Sequence, residues 1–99
     1  MRFALKVQPA ARKDIQESIK WYNRQQKGLG RLFHVEVKEK FEFLRVNPFF
    51  QNRYETVRCL PLKKFPFMVH FSVLEDEKLV VVHAVFHTSL SPESWKRLK

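Results

Sequence analysis

Apolar and polar positions along the chain follow a period of two, then a helical period, then a period of two again. Residues 3–7 alternate apolar and other side chains, which predicts a short first strand. Over residues 9–27 and again over residues 29–46 the apolar positions recur at helical spacing, which predicts two helices. Gly28 suits the left-handed residue after the first helix, and Asn47 precedes a proline that ends the second. The short link between the helices predicts a helical hairpin.

Beyond the second helix the period returns to two. Residues 54–62 and 65–74 are predicted to be strands. A polar turn after residue 74 leads to another strand over residues 79–86. The strand over residues 79–86 is almost wholly apolar, so we expect it to be central and covered on both faces. Residues 91–95 suggest a capped final helical turn.

The predicted order β-α-α-β-β-β defines an α+β fold. We expect the helical hairpin to pack on one face of a mostly antiparallel four-stranded sheet, followed by a short C-terminal helical segment. One domain, residues 1–99, is expected because 44% hydrophobic content with ten Phe supplies a core and no Gly-rich linker divides the chain.

The composition also indicates a compartment. No apolar run approaches the roughly 20 residues of a transmembrane helix, and the N-terminus lacks the apolar stretch of a signal peptide. A single cysteine, Cys59, forms no intramolecular disulfide. We therefore expect a reduced cytoplasmic protein without membrane contact and without a cofactor.

Charge is the most unusual feature of the composition. Lysine and arginine number 19 against 10 aspartate and glutamate residues, which gives a formal net charge of +9. The basic residues are spread along the chain rather than gathered in a tail, so the positive field belongs to a folded surface. Such a field favours an acidic partner, which leaves nucleic acid, an anionic surface and an acidic protein as alternatives.

Four short fragments, in order along nearly the whole chain, resemble one protein family. They are residues 11–15; Trp21-Tyr22 with Gly28-Leu29-Gly30 and Phe33; Val57-Arg58 with Phe65-Pro66-Phe67; and Ala84-Val85-Phe86-His87 with Pro92 and Trp95. Together they resemble the RelE/ParE superfamily of toxins from bacterial type II toxin–antitoxin (plasmid stabilisation) systems. The "W-Y, spacer, G-L-G, F" fragment is similar to the ParE-like branch.

The resemblance implies two alternative activities. A ParE-like toxin inhibits DNA gyrase by binding and needs no catalytic residues, whereas a RelE-like toxin is a ribosome-dependent endoribonuclease that cleaves mRNA. In either case the implied partner is a cognate acidic antitoxin that wraps the toxin, with a toxin–antitoxin hetero-oligomer as the assembly. A basic nucleic-acid-binding domain without a toxin role is the third hypothesis.

The ribonuclease alternative needs an acid, a base and cations around the scissile phosphate. The sequence offers Arg58, His87 and His70 for these roles. Thr56, Phe67 and Thr88 stand near the positions where the ribonuclease branch carries further basic residues. The hypothesis of a ParE-like gyrase inhibitor is therefore favoured over RNA cleavage.

The candidate partner-binding residues are aromatic or basic. They are Trp21, Arg53, Arg58, Lys63, Lys64 and Trp95. The competing interpretations are a structural ion pair for Arg58, a solvated turn for the lysines and a packing role for Trp95. A metal site formed by His83 and His87 is rejected, because four residues along a strand separate the two by roughly 13 Å.

Overall fold

The computed structural model describes residues 2–49, 52–54 and 56–89, and in these ranges it has the predicted α+β fold with one additional short strand. The elements are β1 (Ala4–Val7), α1 (Pro9–Gln25), α2 (Leu29–Val46), β2 (Asn52–Tyr54), β3 (Val57–Pro61), β4 (Phe67–Leu74) and β5 (Leu79–His87), with a 3-10 turn at Glu75–Glu77. The strand predicted over residues 54–62 is divided into β2 and β3, which pair with each other. The helical turn predicted at residues 91–95 lies outside the described residues.

The sheet has five strands in the order β1-β5-β4-β3-β2. Strands β1 and β5 pair in parallel, and the other neighbours are antiparallel. The prediction of a mostly antiparallel sheet is confirmed. The apolar β5 is paired on both sides, so its predicted interior position is confirmed. A bulge interrupts the β4–β5 ladder: His70 lies opposite Ala84 and Phe71 opposite Val82, which leaves His83 as the extra residue.

Both helices pack on the same face of the sheet. The apolar stripes of α1 and α2 meet alternate residues of β4 and β5, because successive strand residues point to opposite faces. Nine described residues of this layer are at most 2% exposed: Ala11, Phe33, Val37, Leu44, Val69, Phe71, Val80, Val82 and Val85. Full burial of one such Phe or Val stabilises the fold by about 1.5–3 kcal/mol. Among the described residues, neither helix is long and apolar enough to cross a membrane.

The Gly28-Leu29-Gly30 link has a structural explanation. Gly28 has φ +87°, a left-handed conformation that side chains rarely adopt. A Cβ on Gly30 would lie 2.4 Å from the carbonyl oxygen of Ile19, so the glycine permits the close approach of α2 to α1. Asn23 then accepts a hydrogen bond from the Gly30 N–H at 2.9 Å. The two glycines thus set the geometry of the hairpin.

A side chain completes the sheet where β1 ends. The last parallel pair joins Val7 to Val82, so β1 does not extend along β5 beyond that point. The Val85 N–H instead donates to the Asp14 carboxylate at 3.1 Å. Asp14 therefore links α1 to β5.

The loop between β3 and β4 is held by a buried carboxylate. Glu36 of α2 is 5% exposed, and it accepts the backbone N–H groups of Lys63 at 2.5 Å and Lys64 at 2.9 Å. The Lys40 ammonium lies 3.8 Å from the same carboxylate. The charge of Glu36 is therefore buried with partners for both of its oxygens, as a buried carboxylate requires.

Glu36→Gln is expected to destabilise the protein by about 1–3 kcal/mol, because one of the two backbone N–H groups would face an amide nitrogen that cannot accept it. Urea unfolding measures the loss. Glu39→Gln, at an exposed position of the same helix, is the matched control and should leave the stability unchanged. Equal stability of both variants would contradict the proposed role of Glu36.

Candidate partner-binding site

An apolar cavity opens between α1 and the ends of strands β4 and β5. Its volume is about 410 Å³. The lining is mostly aromatic, with a few polar groups: Glu17, Ser18, Trp21, Tyr22, Pro66, Phe67 and His87. Concave, largely apolar sites with a few polar groups are the usual form of a binding site.

Adjacent residues of α1 have opposite roles at this cavity. Trp21 and Tyr22 are about 100° apart around the helix axis. Tyr22 turns into the core, with its ring 4.9 Å from that of Phe65 and 5.4 Å from that of Phe33. Trp21 emerges at the cavity and remains 50% exposed, while its ring meets Tyr22 edge-on at 5.0 Å. The packed tyrosine therefore supports an exposed tryptophan.

The tyrosine hydroxyl is not an acid–base candidate at neutral pH. Burial raises the pKa of Tyr22 above its usual value of 10.0, so the phenol stays protonated. Its contribution to the site is packing and support of Trp21.

His87 supplies a hydrogen-bond donor at the rim. Its Nδ1 accepts the backbone N–H of Ser89 at 3.0 Å and lies 2.7 Å from the Ser89 hydroxyl. A neutral imidazole whose Nδ1 accepts carries its proton on Nε2. The ring also packs edge-on against Phe67 at 5.2 Å. His87 is thus oriented by its neighbours, with Nε2–H as its donor.

Arg58 lies away from this cavity. It pairs with Phe71 across the β3–β4 ladder and so belongs to the helix-covered face of the sheet. Its guanidinium carbon is 5.4 Å from the centre of the Phe49 ring, a cation–π arrangement. Phe49 in turn meets Phe3 edge-on at 5.7 Å. The observed contact of the Arg58 guanidinium is therefore with an aromatic ring.

His70 faces the opposite side of the sheet. It is fully buried, its Nδ1 lies 3.4 Å from the Cys59 sulfur, and its ring is 5.1 Å from that of Phe86. The sequence suggested no link between Cys59 and His70, because only the strand register brings the two together.

The three residues considered for RNA cleavage are not brought together. Arg58 lies opposite Phe71 and His87 opposite Phe67. Arg58 and His87 are therefore four residues apart along the strand direction, which is roughly 13 Å. They are also two strands apart across the sheet, which is roughly 10 Å. His70 is on the other face, buried by its neighbours.

The remaining candidates divide between exposed lysines and undescribed side chains. The backbone of Lys63 and Lys64 is held by Glu36, while both side chains point outward into solvent. The side chains of Arg53 and Trp95 lie outside the described residues. Sequence reasoning missed Glu36; its signal was a charged residue three positions after Phe33, on the buried side of α2.

A family model matches most of the chain. The model describes the ParE toxin of the type II toxin–antitoxin system parDE, and it matches residues 5–91. The chain belongs to the ParE toxin family. The predicted membership of the RelE/ParE superfamily is thereby confirmed.

Solved structures share the fold of this ParE-family protein. The chromosomal ParDE toxin–antitoxin system from P. aeruginosa contains a chain of 20% identity and TM-score 0.74, over 89% of this chain and 98% of that one. The isolated E. coli RelE toxin is 17% identical with TM-score 0.66, and the match covers 98% of this chain and 99% of that one. A chain of the E. coli RelBE toxin–antitoxin complex is 14% identical with TM-score 0.67, and the match covers 89% of this chain and 99% of that one. No curated protein sequence matches the chain.

A pH dependence follows from the bulge of this ParE-family protein. Nε2 of His83 lies 2.8 Å from the Ser72 hydroxyl, and burial lowers the pKa of His83 below its usual 6.5. As the pH falls below about 6.5, His83 of the unfolded chain takes up a proton that the folded chain resists, so the free energy of unfolding decreases.

We expect the free energy of unfolding to decrease between about pH 7.5 and about pH 5, and His83→Gln to reduce this decrease. Urea unfolding at several pH values measures both. His34→Gln, at an exposed position of α2, is the control and should keep the wild-type dependence. The hypothesis fails if His83→Gln keeps it as well.

Proposed function

We propose that this protein is the toxin of a parDE-type plasmid-stabilisation module, that it acts in the cytoplasm by binding and inhibiting DNA gyrase, and that a cognate acidic antitoxin neutralises it. The family match supports the toxin role. The observation that carries the choice of a binding mechanism is the dispersal of Arg58, His70 and His87. They occupy two faces and two ends of the sheet.

The dispersal matters because RNA cleavage without a metal depends on convergence. A base, an acid and cations must lie within a few ångström of one phosphate for the transition state to be stabilised. Here Arg58 stacks on Phe49, and the buried His70 is packed against Cys59 and Phe86. An inhibitor that acts by binding has no such requirement.

The proposed antitoxin contact combines charge with an aromatic anchor. The net charge of +9 favours an acidic partner. The cavity at Trp21 offers apolar burial, which must accompany the charge when a disordered segment folds on binding. Lys63 and Lys64 project from the loop that also carries Pro66, a wall of that cavity. We place the antitoxin across this cavity and loop.

RelE-like cleavage of mRNA on the ribosome is the second candidate. It is favoured by the structural similarity to the E. coli RelE toxin, with TM-score 0.66 over 98% of this chain. The two candidates differ in substrate and in their dependence on Arg58.

Purified toxin is expected to inhibit supercoiling by DNA gyrase and to leave mRNA intact in a translation-coupled cleavage assay. Addition of the acidic protein encoded beside the toxin gene should restore supercoiling. Cleavage of mRNA together with normal supercoiling would contradict the proposal and favour the ribonuclease.

Arg58→Ala separates the mechanisms further. If the protein cleaved RNA with Arg58 as a catalytic cation, the variant would lose about 10²–10³ in rate, with an unchanged circular dichroism spectrum. Under our proposal neither protein cleaves mRNA. Any cleavage that depends on Arg58 would therefore overturn it.

Trp21→Ala is expected to weaken antitoxin binding by about 30-fold or more, because truncation of a central aromatic anchor typically costs at least about 2 kcal/mol. Isothermal titration calorimetry measures the change. Leu32→Ala is the matched control: Leu32 is 57% exposed against 50% for Trp21 and does not line the cavity. Equal affinities of both variants and the wild type would exclude Trp21 from the contact.

A further inference from the structure

The cavity at Trp21 carries a charge opposite to that of the protein as a whole. Its described lining includes one carboxylate, that of Glu17, and neither lysine nor arginine. A second cavity of about 300 Å³ adjoins it and shares four of the lining residues: Glu17, Ser18, Phe67 and His87. Asp14 is added there, again without lysine or arginine among the described lining residues. A protein of net charge +9 therefore has an acidic, largely aromatic recess at this end of the sheet.

The Glu17 carboxylate is accessible to a ligand. Within the described ranges its ion pair is with Lys13, one turn earlier on α1, at 3.9 Å between Nζ and Oε1. The side chains of Lys13 and Glu17 are 78% and 64% exposed, and such a surface pair contributes little to stability. Asp14, by contrast, is already held by the Val85 N–H at 3.1 Å. A cation that also makes apolar contacts can therefore take the place of Lys13 at Glu17.

Aromatic rings form much of the remaining wall. The rings of Trp21, Tyr22 and Phe67 line the cavity, and that of Trp21 is half exposed. A cation over the face of an aromatic ring is attracted by the ring quadrupole, most strongly over tryptophan. A guanidinium suits such rings better than an ammonium, because it is planar and more weakly hydrated. Rings beside a carboxylate thus favour an arginine side chain, whose stem is apolar.

We propose that this cavity binds an arginine side chain of a protein partner. The guanidinium stacks on Trp21 and donates hydrogen bonds to the Glu17 carboxylate, while the stem packs against Phe67. At the rim, Nε2–H of His87 donates to a backbone carbonyl of the segment that carries the arginine. This carbonyl distinguishes an arginine within a polypeptide from a free organic cation. The site is independent of whether the toxin acts on gyrase or on mRNA.

The whole protein and the cavity select different properties of a partner. The field of a protein with net charge +9 attracts a partner of negative net charge over a long range. The cavity selects at contact, where Glu17 repels a carboxylate and attracts a guanidinium. Lys63 and Lys64 belong to the loop that carries Pro66 but are not among the described lining residues. An acidic partner with one arginine in its binding segment therefore satisfies both.

Titration of the full-length toxin with N-acetyl-L-arginine N-methylamide tests the site, with the NMR signal of the Trp21 indole N–H as the readout. The blocked norleucine and glutamate derivatives are the neutral and acidic controls. We expect the arginine derivative to bind at least about tenfold more tightly than either, because ring stacking and a charge-assisted hydrogen bond add to the apolar contact. Equal affinities, a preference for glutamate, or no binding of any derivative would each overturn the inference.

Glu17→Gln is expected to weaken binding of the arginine derivative about tenfold and to leave that of the norleucine derivative unchanged, because it removes the charge and keeps the shape. Glu39→Gln is the matched control. It removes the same charge at an exposed position of α2 outside the cavity lining, so any effect of net charge cancels in the comparison. An arginine preference that survives Glu17→Gln would contradict the proposed site.

The cation n-butylguanidinium tests the source of the guanidinium, because it lacks the peptide groups. It is expected to bind at least about threefold more weakly than the arginine derivative, since His87 has no carbonyl to meet. Equal affinity would assign the cavity to free organic cations and overturn the choice of a protein partner. Any of these failures would leave the proposed inhibition of gyrase standing, since supercoiling is measured separately.

Discussion

The structure depends on the burial of β5 between two strands and beneath a helical layer. Val80 and Val82 are fully buried under the helices, while Val81 and Phe86 are buried on the other face. A strand that is apolar on both faces must be interior, and an interior strand needs a neighbour on each side. Strand β4 supplies one through the hairpin, and β1 supplies the other in parallel.

That requirement also determines where the chain has functional surfaces. Because β1 is shorter than β5, Asp14 replaces the missing strand at Val85 and brings α1 close to the end of β5. Trp21, two turns further along α1, then lies over that end, beside His87. The same arrangement leaves β1 at the edge, with its outer backbone groups beside the groove between the helices. The proposed contact of the antitoxin at the Trp21 cavity thus follows from how β5 is enclosed.

Periodicity predicted the elements well because it reflects burial, which dominates the free energy of folding. The bounds of α2 agree at both ends, since Gly28 and Pro48 act locally on the backbone. Periodicity could not predict contacts between residues that are distant along the chain. Glu36 reaches two amides 27 and 28 residues away, and Cys59 meets His70 only because β3 and β4 adopt one register. A one-residue change of register would have exchanged the faces.

The candidate site shows the same division. Trp21 was predicted as a partner-binding residue from composition and resemblance, and the structure places it at an apolar cavity with half of its surface exposed. Arg58 was grouped with His70 and His87 by residue type and by the family resemblance, yet the pleat and the register separate them. Residue type determines what chemistry a side chain is capable of, whereas convergence decides whether the chemistry occurs. For binding, a dispersed set of cations is sufficient, because long-range attraction sums over the whole surface. The dispersal of the cleavage candidates on a positively charged surface therefore supports the proposed binding mechanism over the alternative of RNA cleavage.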